Sequence, residues 1–230
     1  MTSFLSPFNS HHHPTKPIKI YGFEVSQPCR SVYMLCDEAD VPFEIDNVNL
    51  LTGAQKLPAY LAVNPSGQVP AIDDDGFILA ESGAILTYIC NSRHLTQWYP
   101  NDVRIRARVD FWMHWHHGNT RISTQKIFGP AVFKTAEHHE DREAFRRVMH
   151  LLEDHFSKHR FLVEGTEDPT IADLLILPEI DQLSWIPGLW DMSPYPHVHR
   201  WLEIMKFRVQ SYHKYADHPA ERIRLLTHSP

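Results

Sequence analysis

Ser26-Gln27-Pro28-Cys29-Arg30 brings a hydroxyl and a thiol into the opening turn of a helix. An oxygen at such a position has two uses: it caps the helix by accepting from a free amide, or it donates to an anion that the positive helix end also attracts. Cys29 follows Ser26 at the spacing of a redox Cys-x-x-Cys pair, but serine in the leading place leaves no partner for a disulfide. Cys29 therefore reads as a small buried packing residue. Val69-Pro70, after Asn64-Pro65-Ser66-Gly67-Gln68, and Glu81-Ser82 are polar or proline elements at the start of a strand and of a helix. Histidines recur at positions 11–13, 114, 116, 117, 138 and 139. His114 and His117 are three apart and share a helix face, but no acidic third ligand accompanies them, so solvated or structural histidines are expected and a metal is not.

The elements that must position these residues follow from hydrophobic period. Ile18 to Tyr21 is a short strand; Val32, Leu35, Cys36 and Ala39 then fall at i, i+3, i+4 and i+7 on a helix that opens with Pro28. Phe43 to Leu50 reads as a second strand, and Thr52 to Ala62 as a loop and short helix. Val69 to Ile72 and Phe77 to Leu79 form a hairpin across Asp75-Gly76, and a helix starts near Glu81-Ser82. This β-α-β-(α)-β-β-α order is the plan of a thioredoxin-like domain. It occupies residues 17–92, behind a Ser-, His- and Pro-rich mobile tail over 1–16. A linker (93–100) leads to an all-helical C-terminal domain (101–230), with helices expected over 102–127, 140–156, 170–183 and 196–207. Thr170-Ile171-Ala172-Asp173 is a capping box ahead of the apolar run Leu174 to Leu177, a stability device in the middle of the core.

Composition narrows the function. The chain has 230 residues, 43% apolar and 22% charged, enough for a sizeable core. A formal charge of −6 argues against binding nucleic-acid backbones. Seventeen histidines would carry that charge toward zero near pH 6. Three cysteines, at 29, 36 and 90, form neither a disulfide framework nor a zinc cluster and fit a reducing compartment. No apolar run approaches membrane-spanning length, and no signal peptide or peroxisomal address is apparent, so the expected location is cytoplasmic.

A thioredoxin-like domain joined to a helical one resembles the cytosolic glutathione transferases over roughly residues 17 to 215. Ser26 to Arg30, and Trp115-His116-His117-Gly118-Asn119-Thr120-Arg121, resemble the theta class within them. The resemblance implies that Ser26 donates its hydroxyl to the sulfur of glutathione, which is a co-substrate; no cofactor is expected. A thiol of pKa about 8.5 is only a few per cent thiolate at neutral pH, and a shift of two units, about 2.7 kcal/mol, makes the anion the major form. The thiolate would attack a hydrophobic electrophile or a peroxide. Val69-Pro70 resembles the family's cis-proline element, which leaves Val69 free to pair with the tripeptide as an added strand; a trans proline opening an edge strand is the alternative. Glu81 and Ser82 match the pair used on the γ-glutamyl end, with Gln27 and Gln68 as further glutathione contacts. Gln55 or Lys56 serves the glycine carboxylate, or is a solvated loop residue. Arg121 matches an arginine near the electrophile, and anchors an anionic leaving group or pairs with a helix-surface carboxylate. Walls of that pocket are expected between Phe111 and Phe133 and near Tyr212. Gly118 stands where relatives often carry an aspartate that reaches the partner subunit's glutathione, and little chain follows Tyr215, so a more open pocket is expected. A homodimer is implied. The alternative function is a non-catalytic ligand-binding or protein-docking module on the same scaffold.

Overall fold

The computed structural model describes residues 16–228. The histidines at 11–13 and nearly all of the expected tail lie outside them; Lys16, the last tail residue, pairs with Asp75 at 2.9 Å. The strands β1 (Ile18–Gly22), β2 (Phe43–Asn47), β3 (Ala71–Asp74) and β4 (Phe77–Ala80) form one sheet in the order β2-β1-β3-β4. β1 runs parallel to β2 and antiparallel to β3, and β3–β4 is the expected hairpin. Asp75 and Gly76 both adopt the positive φ that its turn requires. Helices α1 (Gln27–Glu38), the short α2 (Pro58–Leu61) and α3 (Ser82–Ser92) complete a thioredoxin-like domain. The central strands are sealed by Ile18, Ile20 and Ile72, all fully buried.

The second domain contains α4 (Val103–Gly118), α5 (Thr120–Phe133), α6 (His139–Lys158), α7 (Ile171–Asp181), α8 (Pro196–Arg208) and α9 (Tyr212–His228). Every residue of α7 is buried, and the helix packs against α1, α3, α4, α5 and α8. It is therefore the axis on which the two domains meet. Its capping box forms: the Thr170 hydroxyl accepts from the first turn, and Asp173 accepts from Thr170 N at 3.0 Å. Asp173 also accepts from Leu162 N (2.9 Å) and the Trp201 indole (3.1 Å), so one buried carboxylate ties three segments together.

Several expectations are corrected. The helix read over 102–127 is two helices, broken at Asn119 (φ −124°, ψ −83°), whose side chain donates to Trp115 O at 2.8 Å. The buried positions Val109, Trp112, Met113, His116, Thr120, Ser123, Thr124 and Ile127 keep helical spacing across the break, so only the backbone reveals it. The second strand stops at Asn47 because its partner β1 ends at Gly22, and Asn49 then caps a 3-10 turn by accepting from Leu51 N. Val69 and Pro70 precede β3 rather than belonging to it. The segment 170–183 is helical only to Asp181 and continues as a 3-10 turn, Gln182–Trp185. Most consequential is α9. The segment after Tyr215 is a helix that docks on α1, α5 and the 182–185 turn, so the expectation of a pocket opened by a short tail is overturned.

Candidate active site

The local structure around Ser26 follows from its neighbours. β1 ends at Gly22, where a Cβ would lie 2.0 Å from the Tyr33 hydroxyl, so only glycine fits under that ring. The chain then turns, with Ser26 N donating to Phe23 O at 2.9 Å, and Pro28 sits in the first turn of α1. Ser26 is the N-cap residue by position (φ −69°, ψ 119°), yet its side chain makes no capping hydrogen bond. Ser26, 7% exposed, thus sets its hydroxyl at a helix N-terminus without using it as a cap, within hydrogen-bond reach of the Cys29 thiol. Cys29, one turn on, is fully buried; burial pushes its thiol up to about 11, so it stays protonated at neutral pH.

Ser26 stands at the junction of two cavities. A polar cleft of about 420 Å³ is lined by Gln55, Gln68, Val69, Pro70, Glu81 and Ser82 from the first domain and by His116, His117 and Arg121 from the second. An apolar cavity of about 360 Å³ is walled by Phe23, Val25, Phe128, Val132, Phe133, Ile223 and Leu226. Ser26, Leu50, Arg121 and Gln125 border both. Val69-Pro70 is cis, and among the described residues neither Val69 N–H nor C=O is hydrogen-bonded. The loop before it is pinned by the Tyr60 hydroxyl and Asn64 amide, which donate to Gln68 O at 2.5 and 2.7 Å. Glu81 has φ +72°, a conformation that a non-glycine residue adopts only where its surroundings enforce it. Its carboxylate lies 3.6 Å from His117 Nε2, while Ser82 opens α3 with unpaired helix-end amides. Gln55 Oε1 is a buried acceptor without a partner at the cleft wall. Lys56, beside it, is exposed and does not line the cleft.

The helical domain contributes more than the sequence indicated. His116 is 2% exposed, and Nδ1 lies 2.5 Å from Thr120 Oγ1. Burial, aided by Arg121 and His117, pushes its pKa down to about 3, so the ring is neutral. Arg121 Nη1 donates to Glu179 Oε1 at 2.7 Å and to Gln27 Oε1 at 2.8 Å. Its carboxylate partner is thus buried between helices and not on a helix surface. The Gln27 amide also donates to Gln182 and does not line the polar cleft. Phe111 and Tyr212 lie away from the apolar cavity; Gln125, Phe128, Val132 and Phe133 line it, joined by Ile223 and Leu226 from α9. Glu179 and Gln182 escaped notice because they meet Arg121 and Gln27 only through packing. Ile223 and Leu226 had a legible signal: Tyr212, Tyr215, Ala216, Ala220 and Ile223 repeat at helical spacing. Gly118 faces open space, with nothing within 4 Å of a built Cβ. No group of metal-ligating side chains converges among the described residues.

A thioredoxin-like domain apposed to a helical domain, with a polar and an apolar cavity meeting at one serine, defines the glutathione transferase class of fold. Residues 20–96 match the family described as glutathione S-transferase, N-terminal domain. The chain is 34% identical to human glutathione S-transferase theta-2 over 167 residues, covering 69% of this chain and 68% of that protein. It is 32% identical to mouse glutathione S-transferase theta-3, covering 71% of each. Among solved structures, a Bombyx mori glutathione transferase superposes with a TM-score of 0.86 at 27% identity, over 94% of this chain and all of that one. Human glutathione S-transferase T1-1, in its apo form, gives 0.80 at 28% identity over 93% and 92%. The chain belongs to the glutathione S-transferase family, and these curated relatives are of the theta class.

Proposed function

We propose that the protein is a glutathione transferase in which Ser26 holds the glutathione sulfur as its thiolate. The observation that carries this reading is the Ser26 hydroxyl, unused in capping, at the N-terminus of α1 and at the meeting point of the two cavities. The hydroxyl donates to the sulfur, and the helix end adds partial positive charge, both favouring the anion. The thiol proton passes to solvent. The sulfur then forms a bond to an electrophilic carbon in the apolar cavity, and the leaving group departs with the bonding electron pair; with a peroxide, the attacked O–O bond breaks instead. Cys29 does not compete, because its buried thiol remains protonated.

The extended tripeptide pairs with the free N–H and C=O of Val69, as an added strand. Glu81 receives the γ-glutamyl ammonium, and Ser82 with the α3 amides receives its carboxylate. Gln55 and Gln68 serve the other end, with Gln55 Oε1 accepting a donor from the ligand; Lys56 acts only as a nearby charge. The Gln27 side chain contributes through Arg121. No metal or organic cofactor takes part. The protein pairs as a homodimer in which Phe77 and Ile78 of β4, and Phe111 of α4, all exposed in one subunit, supply apolar contact area. A cytoplasmic location accords with three buried free cysteines. No helix among the described residues is long and apolar enough to cross a membrane.

Isothermal titration with glutathione tests the reading. Saturable heat at or below millimolar ligand is expected; no heat at millimolar glutathione overturns it. Saturable binding with no turnover of any electrophile leaves the binding-module function in its place.

A further inference from the structure

Among the residues lining the apolar cavity, Arg121 alone carries a charge. A bare guanidinium in that wall would attract electrophiles bearing negative charge. It is not bare. Glu179 lies behind it at 2.7 Å, is 1% exposed, and has no other function in the glutathione reading. Its second oxygen is fixed by the Thr124 hydroxyl at 2.7 Å and by the Gln182 amide at 3.2 Å, so the carboxylate cannot swing away. The other charges nearby are balanced: Asp181 faces Lys206 at 3.1 Å, and the buried Arg30, whose guanidinium stacks 4.3 Å from the Trp185 ring centroid, lies in the field of Asp181 first and of Glu179 second, whereas the direct ion pair of Glu179 is with Arg121. Only Nη1 of Arg121 is hydrogen-bonded among the described residues, and the side chain remains 23% exposed at the cavity border.

We propose that Glu179 is a specificity-determining residue that cancels the charge of Arg121, fitting the apolar cavity to uncharged electrophiles and placing anionic ones at a disadvantage. The inference rests on the glutathione transfer proposed above. Glu179 touches neither sulfur nor electrophile and acts through Arg121, so it is a positioning residue for the charge balance of the wall.

The test is Glu179→Gln, which keeps the shape and an oxygen acceptor but removes the charge. Two benzyl chlorides are compared, one uncharged and one with a para carboxylate. In both, the thiolate sulfur bonds to the benzylic carbon and the C–Cl bond breaks, with chloride taking the electron pair. Any effect of Arg121 on chloride therefore cancels in the ratio of the two kcat/KM values. That ratio, carboxylate over uncharged, is expected to rise about tenfold in the variant, the scale of one partly buried charge, and the gain should shrink with added salt. A packing defect would lower both rates and leave the ratio alone. A ratio equal to that of the wild type overturns the inference while leaving glutathione transfer intact; a wild type that turns over neither chloride and binds no glutathione removes the underlying reading instead. Should Glu179→Gln fail to fold, the wild type decides by calorimetry with two conjugates. S-hexylglutathione is expected to bind more tightly than S-(5-carboxypentyl)glutathione, and equal or reversed affinity overturns the inference.

Discussion

His116 links the site to stability in a way that a titration can read. The ring is buried at the cleft wall and held neutral, with its pKa pushed down to about 3, whereas an unfolded chain would protonate it at its ordinary value of 6.5. A depressed folded pKa contributes stability that is fully present above pH 6.5 and is lost as pH falls toward 3. At pH 5 the unfolded chain has taken up this proton almost completely and the folded protein has not, which amounts to about 2 kcal/mol lost relative to pH 7.5. The figure is set by the ordinary pKa, because pH 5 lies well above the folded value. His155, half-buried and also pushed downward by burial, adds to the wild-type slope, so the informative quantity is a difference between proteins. Urea unfolding at fixed protein concentration, at pH 7.5 and 5.0, should be run on the wild type and on His116→Gln. The variant is expected to be less stable at pH 7.5, yet to lose about 2 kcal/mol less on acidification. With a slope of about 2–3 kcal/mol/M, that is a difference in midpoint shift of about 0.7–1 M. Equal shifts in the two proteins would refute the claim that the fold holds this imidazole uncharged.

Two further outcomes follow from the same contacts. Asp173→Ala leaves the Leu162 and Thr170 amides and the Trp201 indole without an acceptor, so a loss of about 3–5 kcal/mol is expected in denaturant unfolding, and a loss below about 1 would show that the capping box does not hold the core. Glu24, two residues before Ser26, receives His218 at 2.9 Å and also Arg222 from α9; Glu24→Ala should weaken α9 docking by about 1 kcal/mol and speed tryptic cleavage at Arg222, whereas unchanged cleavage would mean the helix is held by its apolar face alone.

Where residues near in sequence set the structure, the sequence was readable. The Asp75-Gly76 hairpin, the apolar stripe of α1 and the Thr170–Asp173 capping box each declare themselves within a few positions. The Ser26 hydroxyl is ambiguous between cap and donor, because both uses share one residue type at one helix end; in the fold it makes no cap. The Asn119 break is hidden because the buried positions, polar ones such as His116, Thr120 and Thr124 included, keep helical spacing across it. The stripe of α9, Tyr212, Tyr215, Ala216, Ala220 and Ile223, is legible by its spacing although Pro219 and a charged face interrupt the helix pattern. The Arg121–Glu179–Gln27 junction joins positions 58 and 94 residues apart, and nothing local in the sequence announces such a meeting. Gln27 looked like a ligand contact by its place beside Ser26, but an adjacent residue on a helix points elsewhere, and its amide serves the junction of the domains.

The central claim is thiolate activation by Ser26. It is tested most directly by following the thiolate absorbance of bound glutathione across pH, in the wild type and in Ser26→Ala. A wild-type thiol pKa about two units below its free value is expected, returning most of the way in the variant; near pH 7 that corresponds to about 25-fold more thiolate in the wild type. A bound thiol that titrates at the same pH in both proteins would contradict the account.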